Sequence, residues 1–413
     1  MKKTLRGSFG TAVAALGLAA SIVVPAGAVT VKVDPILLKT TTITAAATVA
    51  SSGATFDTPF FNAAFPVYSA RNSKATVSAY GAGGSGAGQS AIMGNTVNFS
   101  ASDVPMTATD ISNASSSLSA TKGSLSDYVQ IPVALGGVAI AFRASAITGA
   151  KNYSKDGFVL DATTIAKIYT GAITYWNDPA ICALNPKYSV TYKGKKSCSL
   201  PEKQIVVNAR SDSSGTTYIF KDYMHAAAPT IFTSTPSKTT MVTSGNGFVG
   251  GSGNQGVAAN LENTDYSIGY VEYSYVLLNK TLEAAKIKNA SGKVVAISPA
   301  SIAAAAATKS TVSSTDFSIV NATGNTAYPI SGYSWAMVRK NQSGDAKAST
   351  YAEAELTVKL LDWLTHSAPA KSGYTFGQDI AAQQGYVALP AAAQTVARNG
   401  LLTITYNGSA ILK

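Results

Sequence analysis

From Gly53 onward, short apolar, β-branched runs alternate with longer Ala-rich stretches of helical spacing, the pattern of an α/β protein. Lys74–Tyr80 reads as a strand, followed by a Gly-rich turn and a helix near Gln89–Met93. Thr96–Ser102 reads as a second strand, ending at Asp103. Tyr128–Phe142 is apolar almost throughout and reads as a long strand interrupted by the double glycine Gly136-Gly137, where a strand could pass from one domain to another. Helical spacing covers Leu160–Thr170, and Tyr175-Trp-Asn-Asp-Pro-Ala-Ile181 marks the next helix. Gln204–Val207 is strand-like and leads through a turn into helix-like Thr217–Met224. Tyr266–Tyr275 is aromatic and strand-like, and Ala354–Leu364 has helical spacing with Leu360, Leu361 and Trp363 in its apolar set. Residues 29–52, rich in Thr, Ala and Val, read as an extended or poorly ordered lead-in.

The first residues follow a different pattern. Lys2, Lys3 and Arg6 precede an apolar run, Ala12–Val24, and Ala26-Gly-Ala28 offers a small-x-small cleavage site. The expectation is a signal peptide on residues 1–28, cleaved after Ala28, with an exported product. The apolar run is short for a membrane span, and no cysteine adjoins the cut for a lipid anchor. Removing the leader turns the formal +11 into +8 (29 Lys and Arg against 21 Asp and Glu). About 385 residues remain of the 413, which suits two domains. No Lys/Arg-rich run is interleaved with aromatics, so a nucleic-acid partner is not expected; the basic surface attracts anions generally. Cys182 and Cys198 are expected to form a structural disulfide in an oxidising compartment. The two histidines, His225 and His366, are isolated, so no metal site is expected.

The chemistry concentrates at Asn208–Phe220. Arg210, Asp212, Ser214, Gly215 and Thr216 lie within seven positions at a strand–turn–helix junction. Such a junction presents free N–H groups and the positive end of a helix dipole, while Arg adds a fork that matches an oxyanion. The junction is suited to a small anion. Gly81-Ala-Gly-Gly-Ser-Gly86 also follows a strand and opens a helix, and Asp103 lies near the spacing of a ribose-binding acid. A dinucleotide fold is therefore a candidate, but an exported protein meets little free dinucleotide, and a second anion junction stands at Arg210. The preferred reading makes Ser85 and its neighbouring amides a second anion cradle. Neither Ser85 nor Ser214 sits in G-x-S-x-G, and no histidine or metal cluster accompanies them. No cofactor and no catalysis are expected.

Taken in order, these segments resemble the PstS family, the phosphate-binding proteins of bacterial phosphate ABC transporters. The likeness runs through Gly53-Ala-Thr-Phe56, Gly84-Ser-Gly-Ala-Gly88, Ala91–Asp103, Gln130-Ile-Pro-Val-Ala-Leu-Gly-Gly137, Leu160–Ile181, Arg210-Ser-Asp-Ser-Ser-Gly-Thr216, Ile268-Gly-Tyr-Val-Glu-Tyr273 and Leu361-Asp-Trp363. The resemblance implies an α/β type II periplasmic binding protein, with two discontinuous lobes joined by two crossover strands and a ligand cleft between them. Lobe 1 would be residues 53–134 plus 334–413, and lobe 2 residues 138–328, including the Cys182–Cys198 loop. The implied phosphate contacts are Thr55, Phe56 (amide), Ser85, Asp103, Arg210, Ser214, Gly215 (amide) and Thr216, with Asp212 orienting Arg210. The family departs here in three places. Asp57-Thr-Pro replaces a Pro-x-Pro run, with an acid whose charge would weaken anion binding; Gly86-Ala87 alters the second loop; and the cysteine stretch reads as an insertion.

What the resemblance implies for function is a monomeric, non-enzymatic periplasmic carrier that hands inorganic phosphate to membrane permease subunits. The alternatives are a secreted phosphatase and an extracellular phosphate scavenger on the same scaffold. Within that reading an ionised Asp103 accepts the proton that phosphate carries and confronts sulfate, which has none, with an unmet lone pair.

Overall fold

The structure is a computed structural model that describes residues 42–412, apart from 144–146, 148–156, 193–194, 242–246, 345–346, 349 and 369–374. The expected leader, 1–28, and the first part of the lead-in lie outside the described residues. From Ala47 the lead-in belongs to the fold. Ala47–Val49 pairs in parallel with Ala75–Val77, and Ser51–Gly53 pairs in parallel with Phe99–Ser102. Ile43, Val49 and Ser51 are buried, so the ordered chain starts before Gly53.

The organising element is the 15-residue strand Tyr128–Phe142, buried at every position except Gln130. An apolar run of this kind specifies a strand covered on both faces. Its first half pairs antiparallel with Ser331–Arg339 through Gly137, and its second half pairs antiparallel with Ser267–Glu272 from Val138 onward. The strand is continuous. The double glycine does not interrupt it; it marks the point where the strand changes partner. A Cβ on Gly136 would lie 2.7 Å from the Phe56 ring, and one on Gly137 would lie 2.9 Å from Ile297 and Ile302. Small residues let both faces be packed at that point.

The main sheet runs Gly247–Gly251, Val206–Arg210, Ser267–Glu272, Tyr128–Phe142, Ser331–Arg339, Phe99–Ser102, Ser51–Gly53, with Glu283–Ala284 pairing on the long strand. Pro132 sits beside a register shift, between Ser334 and Trp335, that leaves Val133 unopposed. A bulge tolerates the missing proline N–H and re-aims the facing side chain, here Ser334.

Helices cover the sheet. Thr58–Arg71 carries Phe60, Phe61 and Phe65 at core spacing, and these pack with Tyr80, Phe99 and Tyr386. Burying each such ring contributes about 1.5–3 kcal/mol. Tyr351–Leu364 starts in a Thr350/Glu353 capping box and buries Leu360, Leu361 and Trp363, the apolar set expected of it. The helix expected near Gln89 begins earlier, at Ser85. The expected strand 266–275 ends at Glu272, whose carboxylate caps the short helix Tyr273–Leu277 by accepting from the Ser274 N–H at 3.0 Å.

Cys182 and Cys198 are bonded, with Cα atoms 5.9 Å apart, and tie the helix Pro179–Leu184 to the hairpin Ser189–Tyr192/Lys195–Cys198. Thiol titration of the native protein should find no free thiol. Reduction should lower unfolding stability by about 3 kcal/mol at most, the chain-entropy value for a loop of this size. A larger loss would mean that the bond also holds the surrounding core.

Candidate functional site

Four helix starts come together, three of them shortly after strands of the main sheet and one after Ala75–Val77. Ser85 opens Ser85–Met93 after Gly84, whose φ of 92° is left-handed and whose Cβ would lie 2.2 Å from Asp212 Oδ2. Only glycine meets both conditions. Ser214 caps Gly215–Ala227 by accepting from the Thr217 N–H at 3.1 Å. Ser252 precedes Gly253–Asn263, and Thr55-Phe56-Asp57 precede Thr58–Arg71. The starts are joined directly. The Gly215 amide donates to Ser85 Oγ at 3.0 Å, the Asn254 amide to Thr55 Oγ1 at 3.0 Å, and the Gly253 amide to Asp212 Oδ1 at 3.0 Å. Helix N-termini gathered this way concentrate unpaired N–H groups and positive potential in one place.

Arg210, at the end of the strand Val206–Arg210, is 1% exposed. Its Nε donates to Asp212 Oδ1 at 2.7 Å and its Nη2 to Asp212 Oδ2 at 2.5 Å, a bidentate pair. Burial works against the Asp212 charge, but the guanidinium and the Gly253 amide outweigh it and hold that carboxyl below its usual range. Thr216 Oγ1 donates to Asp103 Oδ2 at 3.0 Å and accepts from Asn254 Nδ2 at 3.2 Å and Arg210 Nη1 at 3.4 Å. Burial pushes Asp103 up to about 7 against the pull of Arg210 and Thr216. Its Oδ1 has no hydrogen-bond partner among the described residues. The site thus sets an unpartnered acceptor, Asp103 Oδ1, among many donors.

The structure brings the sequence-derived residues together. Thr55, Ser85, Asp103, Arg210, Gly215, Thr216 and Asp212 fall in a network closed by Asn254. Phe56 is buried beside them and its carbonyl accepts from the Tyr386 hydroxyl. The Ser214 hydroxyl accepts as the helix cap, which leaves its proton to donate elsewhere.

Four contributors were not identified from the sequence. Asn254 bridges Thr55 and Thr216, and its signal was a third Gly-rich helix start, Gly251-Ser-Gly-Asn254. Ser334, whose Oγ lies 2.6 Å from Asp57 Oδ2, gave no local signal. Glu272 is completely buried, and its carboxyl is pushed up to about 8 by burial despite the bonds from Ser274. Lys238 closes the rim: its Nζ reaches Asp110 Oδ1 at 2.6 Å and Gln89 Oε1, while its carbonyl accepts from the Ser214 amide at 2.9 Å. Asp57, expected near the site as a free charge, is completely buried instead.

Residues 39–368 match the PBP superfamily domain. The chain is 32% identical over 309 residues to the phosphate-binding protein PstS of Xylella fastidiosa (strain 9a5c), covering 74% of this chain and 72% of that protein. It is 32% identical over 300 residues to the phosphate-binding protein PstS of Pasteurella multocida (strain Pm70), covering 72% and 78%. Among solved structures it is similar in fold to PfluDING, a high affinity periplasmic phosphate-binding protein bound with phosphate at pH 8.5. That likeness has a TM-score of 0.62 at 19% identity and covers 88% of this chain and 96% of that one.

Gly215 is a point where helix starts approach closely, since a Cβ there would lie 2.5 Å from Asp103 Cβ and 2.6 Å from Ser85 Oγ. Gly215→Ala should therefore lower stability in chemical denaturation by about 1–3 kcal/mol, the usual effect of overpacking. Gly247→Ala, whose Cβ meets nothing closer than 3.6 Å among the described residues, should show no such loss. Equal effects would mean that the contact at Gly215 is loose.

Proposed function

The chain belongs to the PstS family of phosphate-binding proteins, and from that premise we propose that it captures inorganic phosphate among its gathered helix starts and delivers it to the permease of a phosphate ABC transporter. The observation that carries the reading is one buried acceptor, Asp103 Oδ1, set among donors from four helix N-termini and a guanidinium. The proposed contacts are Thr55, the Phe56 amide, Ser85, Asp103, Arg210, Ser214, the Gly215 amide and Thr216, with Asp212 holding Arg210. Because Asp212 already offsets the guanidinium, neutral dipoles do most of the binding. Phosphate at neutral pH brings a proton for Asp103. Sulfate does not, and an unmet buried acceptor costs about 1–3 kcal/mol, more where charge is involved.

Closure follows from where the contacts come from. The proposed lobes are residues 53–134 with 334–413, and residues 138–328. The pairs Ser85–Gly215, Thr55–Asn254 and Asp103–Thr216 each join one to the other. A ligand touching both sides favours the closed arrangement by its differential affinity.

The carrier is proposed to be non-enzymatic. Ser214 has no base beside it on its helix: His225 lies eleven residues on, about 16 Å along the axis. His366 is hydrogen-bonded to the Asp362 carbonyl. Residues 1–28 are proposed as an export leader cleaved after Ala28, and the folded chain as periplasmic and monomeric, without a nucleic-acid partner. Among the described residues no helix is long and apolar enough to cross a membrane.

Calorimetric titration should give one phosphate per chain and far weaker sulfate binding at neutral pH; equal affinities would overturn the assignment. Selectivity should also grow as pH rises through about 7, because below that point a protonated Asp103 can donate to sulfate and above it the carboxylate only accepts. Arg210→Ala should weaken phosphate binding by about 2–5 kcal/mol, as loss of a buried charge partner does. The double change Arg210→Ala/Asp212→Ala should bind better than Arg210→Ala, since it also removes the carboxylate left facing the anion. Simple additivity would show that Asp212 is not the partner that matters.

A further inference from the structure

Lys238 is not among the proposed phosphate contacts, yet it reaches both sides of the site. Its carbonyl accepts from the Ser214 amide at 2.9 Å, at the head of the helix Gly215–Ala227. Its Nζ lies 2.6 Å from Asp110 Oδ1 and also donates to Gln89 Oε1. Gln89 belongs to the helix that Ser85 opens, and its amide donates to the Val104 carbonyl at 3.2 Å, one residue past Asp103. A single residue therefore spans from the cap of the Arg210 turn to the loop that carries Asp103.

Both ends of this span are fixed. Ser237 and Thr239, on either side of Lys238, are held by the buried Lys221 of the Ser214-capped helix. Lys221 Nζ donates to Ser237 Oγ at 3.1 Å and to the Thr239 carbonyl at 2.7 Å. At the other end Asp110 closes a capping box with Thr107: its Oδ2 accepts from the Thr107 amide at 2.8 Å, which leaves Oδ1 for Lys238. Burial works against the Asp110 charge, but the bonds from Lys238 and Thr107 outweigh it and hold that carboxyl below its usual range. The ion pair is sheltered from water, the side chains of Lys238 and Asp110 being 16% and 24% exposed.

In the proposed division Lys238 and Lys221 belong to residues 138–328, and Asp110 and Gln89 to residues 53–134. Resting on phosphate capture between those two lobes, we propose that Lys238 is a positioning residue that clasps the closed arrangement: its bonds to Asp110 and Gln89 hold the lobes together over the ligand and set how slowly phosphate leaves. It adds no contact to the anion, because its ammonium is engaged by Asp110 and Gln89. A bond made only in the closed arrangement raises the population of that arrangement, and the apparent affinity rises with it. Since the ligand leaves only after the lobes part, the effect falls mainly on release.

The test times the release of radiolabelled inorganic phosphate into excess unlabelled phosphate, and its capture, by rapid mixing. Lys238→Met keeps the length of the side chain and removes its charge. It should release phosphate faster by about five- to thirtyfold, between what an exposed and a buried ion pair contribute. Capture should change by no more than about threefold. Lys238→Arg, which keeps the charge, should recover most of the lost residence time. Asp110→Asn breaks the same pair from the other lobe and should speed release to a like extent, so the proposal can still fail if Lys238→Met does not fold. The double variant Lys238→Met/Asp110→Asn should release phosphate no faster than the quicker single one, because the pair is lost only once. A merely structural role would lower stability and leave release unchanged. Unchanged release in either folded single variant, or effects that multiply in the double one, would overturn the proposal. Absence of phosphate binding by the wild type would overturn the capture reading itself, whereas unchanged release with phosphate bound would overturn the clasp alone.

Discussion

Arg210 carries a permanent charge in a place almost without water, and much of the site follows from the need to pair it. An isolated buried ion is costly enough that it must find a partner and satisfied hydrogen bonds. Asp212 provides the partner, two residues away along the turn, with both oxygens. That carboxylate then takes the Gly253 amide, which fixes the start of the helix Gly253–Asn263. The next residue, Asn254, reaches Thr55 and Thr216. One charge thereby sets the positions of segments far apart in the chain.

The acids around it obey the opposite constraint. Asp57, Asp103 and Glu272 are all buried, and each leaves one oxygen without a hydrogen-bond partner among the described residues. With the Arg210 charge already balanced, full ionisation of three more carboxyls has no counter-charge to lean on. Burial raises all three above their ordinary range, so each holds its charge less readily than an exposed carboxyl does. A site that looks acidic in its residue list is close to neutral in its physics. That suits the binding of an anion by dipoles.

The scaffold supplies the precision. One continuous strand, Tyr128–Phe142, belongs to both halves of the main sheet, so the segments on either side share a rigid element. Its glycines are needed because Phe56 packs against one and Ile297 and Ile302 against the other. The bulge that leaves Val133 unopposed beside Pro132 falls next to Ser334, whose hydroxyl bonds Asp57. Packing and chemistry meet on the same two strands.

How much of this the sequence contained depends on the range of each cause. Arg210-Ser-Asp-Ser-Ser-Gly-Thr216 was legible because a charge, its partner, a cap and a helix start lie within one turn, where spacing alone fixes proximity. The Gly-rich start at Ser85 and the apolar length of Tyr128–Phe142 were legible for the same local reason. The end of the strand at Glu272 was missed, since aromatic residues continue past it and only the carboxylate cap turns them into a helix. The double glycine was placed correctly but read as an interruption, because a change of pairing partner leaves no mark on a strand's own residues. Asn254 and Ser334 act across 199 and 277 positions respectively, and burial and the neighbouring Asp103 push the Asp57 carboxyl above its ordinary range. The sequence by itself determined which groups could hold an anion, since that is a matter of residue type and short spacing. Which of them meet, and which acids keep their protons, was decided by tertiary structure, because distance and desolvation exist only once remote segments are packed together.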